Sequence, residues 1–216
     1  MSVEVTVVPV TPFQQNCSVM KCTDTGRGAI VDPGGDTERI LAAVASLGAE
    51  VEKILLTHGH MDHCAAADVL RRQLGVPIEG PERADAFWID RLPEWCAMVN
   101  LPPADPFTPD RWLSHGDMVS VGAQALRVFH CPGHTPGHVV FFHDARRLAW
   151  VGDVIFQGSI GRTDFPMGNH EQLIASIRER LFPLGDDITF IPGHGPTSTF
   201  GAERRSNPFV ADARYG

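Results

Sequence analysis

Seven residues, Thr57-His58-Gly59-His60-Met61-Asp62-His63, constrain this chain more than any other stretch of it. Three imidazoles and a carboxylate fall between His58 and His63, directly after the apolar run Lys53-Ile54-Leu55-Leu56, which reads as a short buried strand. Side chains alternate in an extended loop, so His58 and His60 point to one side. Asp62 and His63 then open a helix, where an acidic residue near the N-terminus is favourable. Buried together with no partner, these groups would suffer a large desolvation penalty. The spacing instead offers two donors to one metal ion and two to its neighbour.

Three later segments each present one more donor at the end of a strand. Cys131-Pro132-Gly133-His134 follows a strand ending at Phe129, Val151-Gly152-Asp153 ends a strand from Leu148, and Pro192-Gly193-His194 follows Ile188 to Ile191. In each a glycine stands beside the donor and lets the backbone turn tightly. Strand ends hold side chains rigidly at one edge of a sheet, a common place for sites in open α/β layers.

The rest of the chain supplies the frame. Val3 to Val10, Cys17 to Cys22 and Ala29 to Val31 read as strands, and Thr37 to Leu47 as a helix stopped by Gly48. Asp62 to Leu74 reads as a helix stopped by Gly75. Met118 to Val121 with Ala125 to Phe129, and Val139 to Phe142 with Leu148 to Val151, read as hairpins. His170 to Leu181 is an amphipathic helix. Two sheets between outer helices satisfy this order, and so does a doubly wound sheet. The segment 81–109, with Phe87, Trp88, Trp95, Met98 and Phe107 among prolines, stands apart. It reads as a helical insert packed on the core, a cap over the site, or a surface for homodimer formation.

Composition narrows the partners. The 216 residues suit one domain with a substantial core. A net charge of −8 and only two lysines, Lys21 and Lys53, give no basic stripe for nucleic acid. No apolar run approaches the ~20 residues of a membrane span, and Met1 to Val10 does not read as a signal peptide. Five cysteines without C-x-x-C spacing fit a reducing cytoplasm and small buried side chains.

The H-x-H-x-D-H segment, then a Gly-His, an Asp and a late Gly-His resemble the metallo-β-lactamase superfamily, and within it the glyoxalase-II-like hydrolases. The resemblance runs from Asn16-Cys17 to Asn207-Pro208-Phe209. Thr135 to His138 (Thr-Pro-Gly-His), Gly161 to Pro166 (Gly-Arg-Thr-Asp-Phe-Pro) and Glu203-Arg204 make it closest to short bacterial proteins of the YcbL type. It implies a four-layer αββα sandwich. It also implies that His58, His60 and His134 hold one metal, that Asp62, His63 and His194 hold a second, and that Asp153 bridges the two. Asp32 and His138 become supporting residues behind the ligands, with Asp32 bonded to a ligand imidazole. Two divalent ions are expected: zinc suits the donors, and iron or manganese is also accepted.

The implied reaction is hydrolysis of a small thioester by metal-bound hydroxide that Asp62 orients, with S-lactoylglutathione as the carried-over substrate. Longer glyoxalase II enzymes hold glutathione with a C-terminal helical domain, whereas only Thr197 to Gly216 follow the last donor here. A mononuclear iron persulfide dioxygenase shares the Gly-Arg-Thr-Asp-Phe segment and is the alternative enzyme. A protein that only stores or senses metal is the non-enzymatic one.

Overall fold

The computed structural model describes residues 3–215; Met1, Ser2 and Gly216, at the ends of the expected 1–216 unit, lie outside the described residues. Strand β1 (Val3–Val10) forms the edge of the first sheet, where Pro9, lacking an N–H, is tolerated. It pairs antiparallel with β2 (Gln15–Cys22), which pairs antiparallel with β3 (Arg27–Val31). Helix α1 (Thr37–Leu47) carries the chain over to β4 (Glu50–Leu55), parallel to β3. Gly48 ends α1 in the left-handed region at φ 63°, the conformation that glycine adopts without a Cβ penalty. Helices α2 (Met61–Cys64) and α3 (Ala67–Leu74) lead to β5 (Ile78–Glu79), parallel to β4. Helices α4 (Ala86–Ile89) and α5 (Leu92–Met98) follow.

The second sheet starts as an antiparallel meander of β6 (Met118–Val121), β7 (Gln124–His130), β8 (Val139–His143) and β9 (Leu148–Gly152). A small hairpin of β10 (Ile155–Phe156) and β11 (Ser159–Ile160) precedes helix α6 (His170–Ala175). Strand β12 (Thr189–Pro192) joins β9 in parallel, β13 (Ser198–Thr199) closes the sheet, and α7 (Phe200–Ser206) covers its end.

Side-chain parity decides the layering. In β3, Ala29 and Val31 face a core shared with Val139, Phe141 and Trp150 of the second sheet, whereas Ile30 faces the other way. The same switch separates Val19 from Met20, Ile54 from Leu55 and Phe141 from Phe142. The outward residues of the first sheet pack on Ile40 of α1 and Leu70 of α3. Those of the second pack on Leu173 of α6, Ile177, Leu181 and Phe200 of α7. Three apolar interfaces between four layers make the αββα sandwich and set aside the doubly wound alternative. Phe141, fully buried between the sheets, is a direct probe of the central interface. Phe141→Ala is expected to destabilise the protein by about 3–5 kcal/mol, read as a lower urea midpoint, against less than about 0.5 kcal/mol for Met118→Ala on the exposed face of β6.

Two expected helices differ in detail. Asp62 to Leu74 is not continuous: it breaks between α2 and α3, where the Ala66 N–H donates to the Pro33 carbonyl instead of to its own helix. His170 to Leu181 begins as α6 and widens to a π-helix over Ser176–Leu181. Both forms keep Leu173, Ile177 and Leu181 on the core, so apolar spacing does not distinguish them. In 81–109, Trp88, Ile89, Leu92, Cys96, Leu101 and Phe107 are buried, which makes this segment chiefly a packed layer; Met98, at 72%, and the adjoining Val99, at 36%, are exposed. Among the described residues no helix is long and apolar enough to cross a membrane.

Candidate metal centre

The loops at one end of both sheets carry the site. The loop after β4 brings His58 and His60, and α2 brings Asp62 and His63. The turn after β7 supplies His134, the turn after β9 supplies Asp153, and the turn after β12 supplies His194. All seven converge. The donor atoms of His58, His60 and His134 form one group, and those of Asp62, His63 and His194 another, each within 4.8 Å. Asp153 stands between them, with Oδ1 3.3 Å from His63 Nε2 and Oδ2 3.5 Å and 3.6 Å from His134 Nε2 and His194 Nε2.

Outer hydrogen bonds aim the rings. His134 Nδ1 donates to the Arg162 carbonyl at 2.7 Å, and His194 Nδ1 to the Phe13 carbonyl at 3.1 Å. His63 Nδ1 donates to Asp32 Oδ2 at 3.0 Å. Thr57 Oγ1 gives its proton to Asp32 Oδ2 at 2.6 Å and is left to accept from His58 Nδ1 at 3.0 Å. These acceptors assign the proton of four rings to Nδ1, so each Nε2 lone pair points inward. His60 presents Nδ1 instead, 3.2 Å from His58 Nε2 and 3.0 Å from His134 Nε2.

A metal fits this set. Three ring nitrogens at such spacing cannot all be satisfied by one another, because two of them have already placed their protons elsewhere. Nitrogens bound at ~2.0–2.1 Å around a tetrahedral ion lie about 3.3–3.4 Å apart, close to the observed separations. In the second group the buried His63 Nε2 and Asp153 Oδ1 have no hydrogen-bond partner. Buried polar atoms are rarely left so unless an ion or water completes them.

The electrostatics separate the two halves. Burial, reinforced by the neighbouring imidazoles, holds the pKa values of His58 and His60 well below the usual imidazole value. Burial also lowers His134, although Asp153 opposes it. At His63 burial works against the charge, but Asp153 and Asp62 outweigh it and raise the pKa. His194 is raised in the same way, against burial, by its bond to Asp62 and by Asp153. Burial would raise Asp153, but His63, His134 and His194 hold its carboxyl far below the usual range.

The supporting residues take distinct places. Asp32 spends its oxygens on the Thr57 N–H, the Thr57 hydroxyl and His63, so although it lies near His58 and His63 it serves as their brace. His138 Nε2 accepts from the Asp153 N–H at 3.0 Å and its ring stacks on His58 at 4.5 Å, which takes that nitrogen out of the donor set. His143 bonds Gln124 and His130 bonds the Pro136 carbonyl, both apart from the cluster. Arg162 pairs with Asp164 at the surface at 2.8 Å. All five cysteines are buried and free, Cys64 and Cys131 included.

Three contributors were not legible in the motifs. Gln15 approaches His63 Nδ1 at 3.3 Å. Trp88 meets the His60 ring edge to face at 4.3 Å. Asp85 is bonded to the loops on either side of the first group. All three act from segments outside the histidine motifs, and an aromatic or an amide carries no spacing signal.

The family model of the metallo-beta-lactamase superfamily matches residues 10–201. Hydroxyacylglutathione hydrolase GloC of Haemophilus influenzae is 47% identical over 94% of this chain and 96% of its own length. Among solved structures, the BLEG-1 B3 metallo-beta-lactamase superposes with a TM-score of 0.88 at 33% identity, over 96% of this chain and 99% of that one. TTHA1623 in a di-iron-bound form superposes with a TM-score of 0.86 at 34% identity, over 95% and 100%. With a match that runs from the end of β1 into α7 and relatives aligned almost end to end, the chain belongs to the metallo-beta-lactamase superfamily.

Proposed function

We propose that this protein hydrolyses a small thioester of the hydroxyacylglutathione class, S-lactoylglutathione being the first candidate, at a centre of two divalent metal ions. The observation that carries the reading is the pair of inward-facing donor groups joined by Asp153, and the 47% identity to a hydroxyacylglutathione hydrolase supports the substrate class. His58, His60 and His134 would hold one ion, Asp62, His63 and His194 the other, and Asp153 both. Zinc is the first choice for such donors, with iron and manganese as substitutes; the related di-iron-bound structure keeps iron in play. When bound, the ions would supply hydroxide at neutral pH, lowering the pKa of water from ~15.7 towards ~7, and polarise the carbonyl under attack.

The chain's own groups do the rest. Asp62, 3.2 Å from His194 Nε2, would accept a hydrogen bond from the attacking water and fix its direction. Asp32 and the Arg162 and Phe13 carbonyls keep the rings from turning as charge develops. Phe165, 5.1 Å from the His60 ring, and Phe156, 6.2 Å from His194, give the surroundings an apolar wall that thins the water. A thiol with pKa near ~8.5 departs as thiolate, so the leaving group needs no separate proton donor. An amine leaving from a β-lactam does need one, and the structural likeness to BLEG-1 makes a β-lactam the control substrate. Five free thiols suit a reducing compartment, and we place the enzyme in the cytoplasm.

A panel of S-lactoylglutathione, other acyl thioesters and a β-lactam, assayed with and without chelator, tests this. Thiol release that chelator abolishes and added metal restores is the expected result. Oxygen uptake with glutathione persulfide in place of thiol release would show a persulfide dioxygenase, and stoichiometric metal binding without turnover on any substrate would leave only a storage role.

A further inference from the structure

We propose that Asp85 is a positioning residue for the first metal group, a role that rests on the donor assignment above. Asp85 is completely buried, in a part of the chain remote in sequence from every histidine motif. It occupies the N-cap of α4 yet makes no capping bond to that helix. Its three hydrogen bonds go instead to two loops. Oδ2 accepts from the Gly59 N–H at 2.8 Å and from the Thr135 hydroxyl at 2.8 Å, and Oδ1 accepts from the Gly137 N–H at 2.5 Å. Gly59 lies between His58 and His60; Thr135 and Gly137 directly follow His134. One carboxylate thus joins the two loops that supply the first group.

The neighbouring backbone has the same purpose. The Glu82 N–H donates to the Gly137 carbonyl at 2.9 Å. A Cβ on Gly59 would lie 2.9 Å from Trp88 Cβ and 3.0 Å from the Asp85 carbonyl, and one on Gly137 would lie 2.6 Å from the Asp85 N. Both loops therefore rest directly on 82–89, and Trp88 faces the His60 ring from the same segment. The second group has its own brace: Asp32 is bonded to His63 and to the base of the loop at Thr57. Asp32 also reaches His58 through Thr57, whereas the bonds of Asp85 go only to the loops of the first group.

Asp85→Asn separates this role from mere packing. Both oxygens accept from a backbone N–H, so either orientation of the amide turns its NH2 against a peptide N–H. Titration of the metal-free protein with Co(II), followed by visible absorption and by competition with a chelator, reads each site separately. His60→Ala and His194→Ala variants mark which spectrum belongs to which group. Wild-type protein is expected to take up two equivalents. In Asp85→Asn the affinity of the first group should fall by about 10–100-fold, with the second unchanged. Thr135→Val, which removes one of three donors and retains the carboxylate, should weaken the same group by a smaller factor, and it carries the test alone if Asp85→Asn does not fold. Two equivalents bound with wild-type affinity, or equal loss at both groups, would overturn the proposal. A wild-type protein that takes up no Co(II) would instead remove the donor assignment, and the role of Asp85 with it.

Discussion

Replacing Asp62 or His58 with alanine is expected to eliminate thioester hydrolysis, by more than about 10³-fold, while the chain stays folded. Loss of a single hydrogen-bond donor to a developing oxyanion costs about 10²–10³-fold in other enzymes, and under the proposed assignment either change would remove a metal ligand, a larger loss. His58 is buried and faces His60 Nε2-to-Nδ1 at 3.2 Å, so its removal leaves two donors where three stood. Asp62 reaches His194 Nε2 at 3.2 Å and His63 Nε2 at 3.9 Å, and alanine there strips the second group of its carboxylate. Neither side chain belongs to an apolar core cluster. The fold should consequently lose little, about 1 kcal/mol. Thiol release measured at controlled metal content, beside a thermal melt of the same preparations, decides it. Turnover near the wild-type rate in either variant, with metal present, would remove that residue from the reaction and overturn the assignment.

What could be read from the chain, and what could not, follows from the range of the interactions. The loop His58 to His63 announces itself because its donors are adjacent, and His134, Asp153 and His194 because each follows a strand and stands next to a glycine. Caps at Gly48 and Gly75 fix helix ends through their own backbone conformation, so they too are local. The layering was not local. In β8 all five residues from Val139 to His143 are buried, so hydropathy shows no alternation there, and both a sandwich and a doubly wound sheet remain open until the partner strands are known. The break after Cys64 depends on Pro33, a residue far back in the chain that takes the Ala66 N–H. Asp85 is hidden for the same reason: its partners lie 26, 50 and 52 positions away, and an aspartate ahead of an apolar stretch reads as an ordinary helix cap. The short strands β5, β10, β11 and β13, two residues each, are too brief to carry a periodic pattern.

Gly193→Ala is expected to damage the centre through space alone. The position connects β12 to His194, and its backbone is pinned: its N–H donates to the Gly152 carbonyl at 2.7 Å and its carbonyl accepts from the Asn16 N–H at 2.7 Å. The Asn16 side chain holds both sides of the turn through the Pro192 and Gly195 carbonyls. A Cβ at this point falls on Asp153 Oδ1 and lies 2.5 Å from His63 Cε1. With the backbone fixed, the carboxylate is what yields, and Asp153 turns away from the place between the two groups. Displacement of a reacting or ligating group by about 1 Å can cost 10²-fold in rate, so at least that loss is expected, together with a fall from two bound metals to one or fewer. Overpacking alone would lower stability by about 1–3 kcal/mol. Gly195→Ala supplies the contrast. Gly195 has φ 76° but nothing within 4 Å of a new Cβ, so alanine there should cost about 1–2 kcal/mol of backbone strain and leave both metals in place. Metal content and thiol release measured on the two variants side by side distinguish crowding of Asp153 from general strain in the turn. If Gly193→Ala retained both ions and full turnover, Asp153 could not be the residue that joins them.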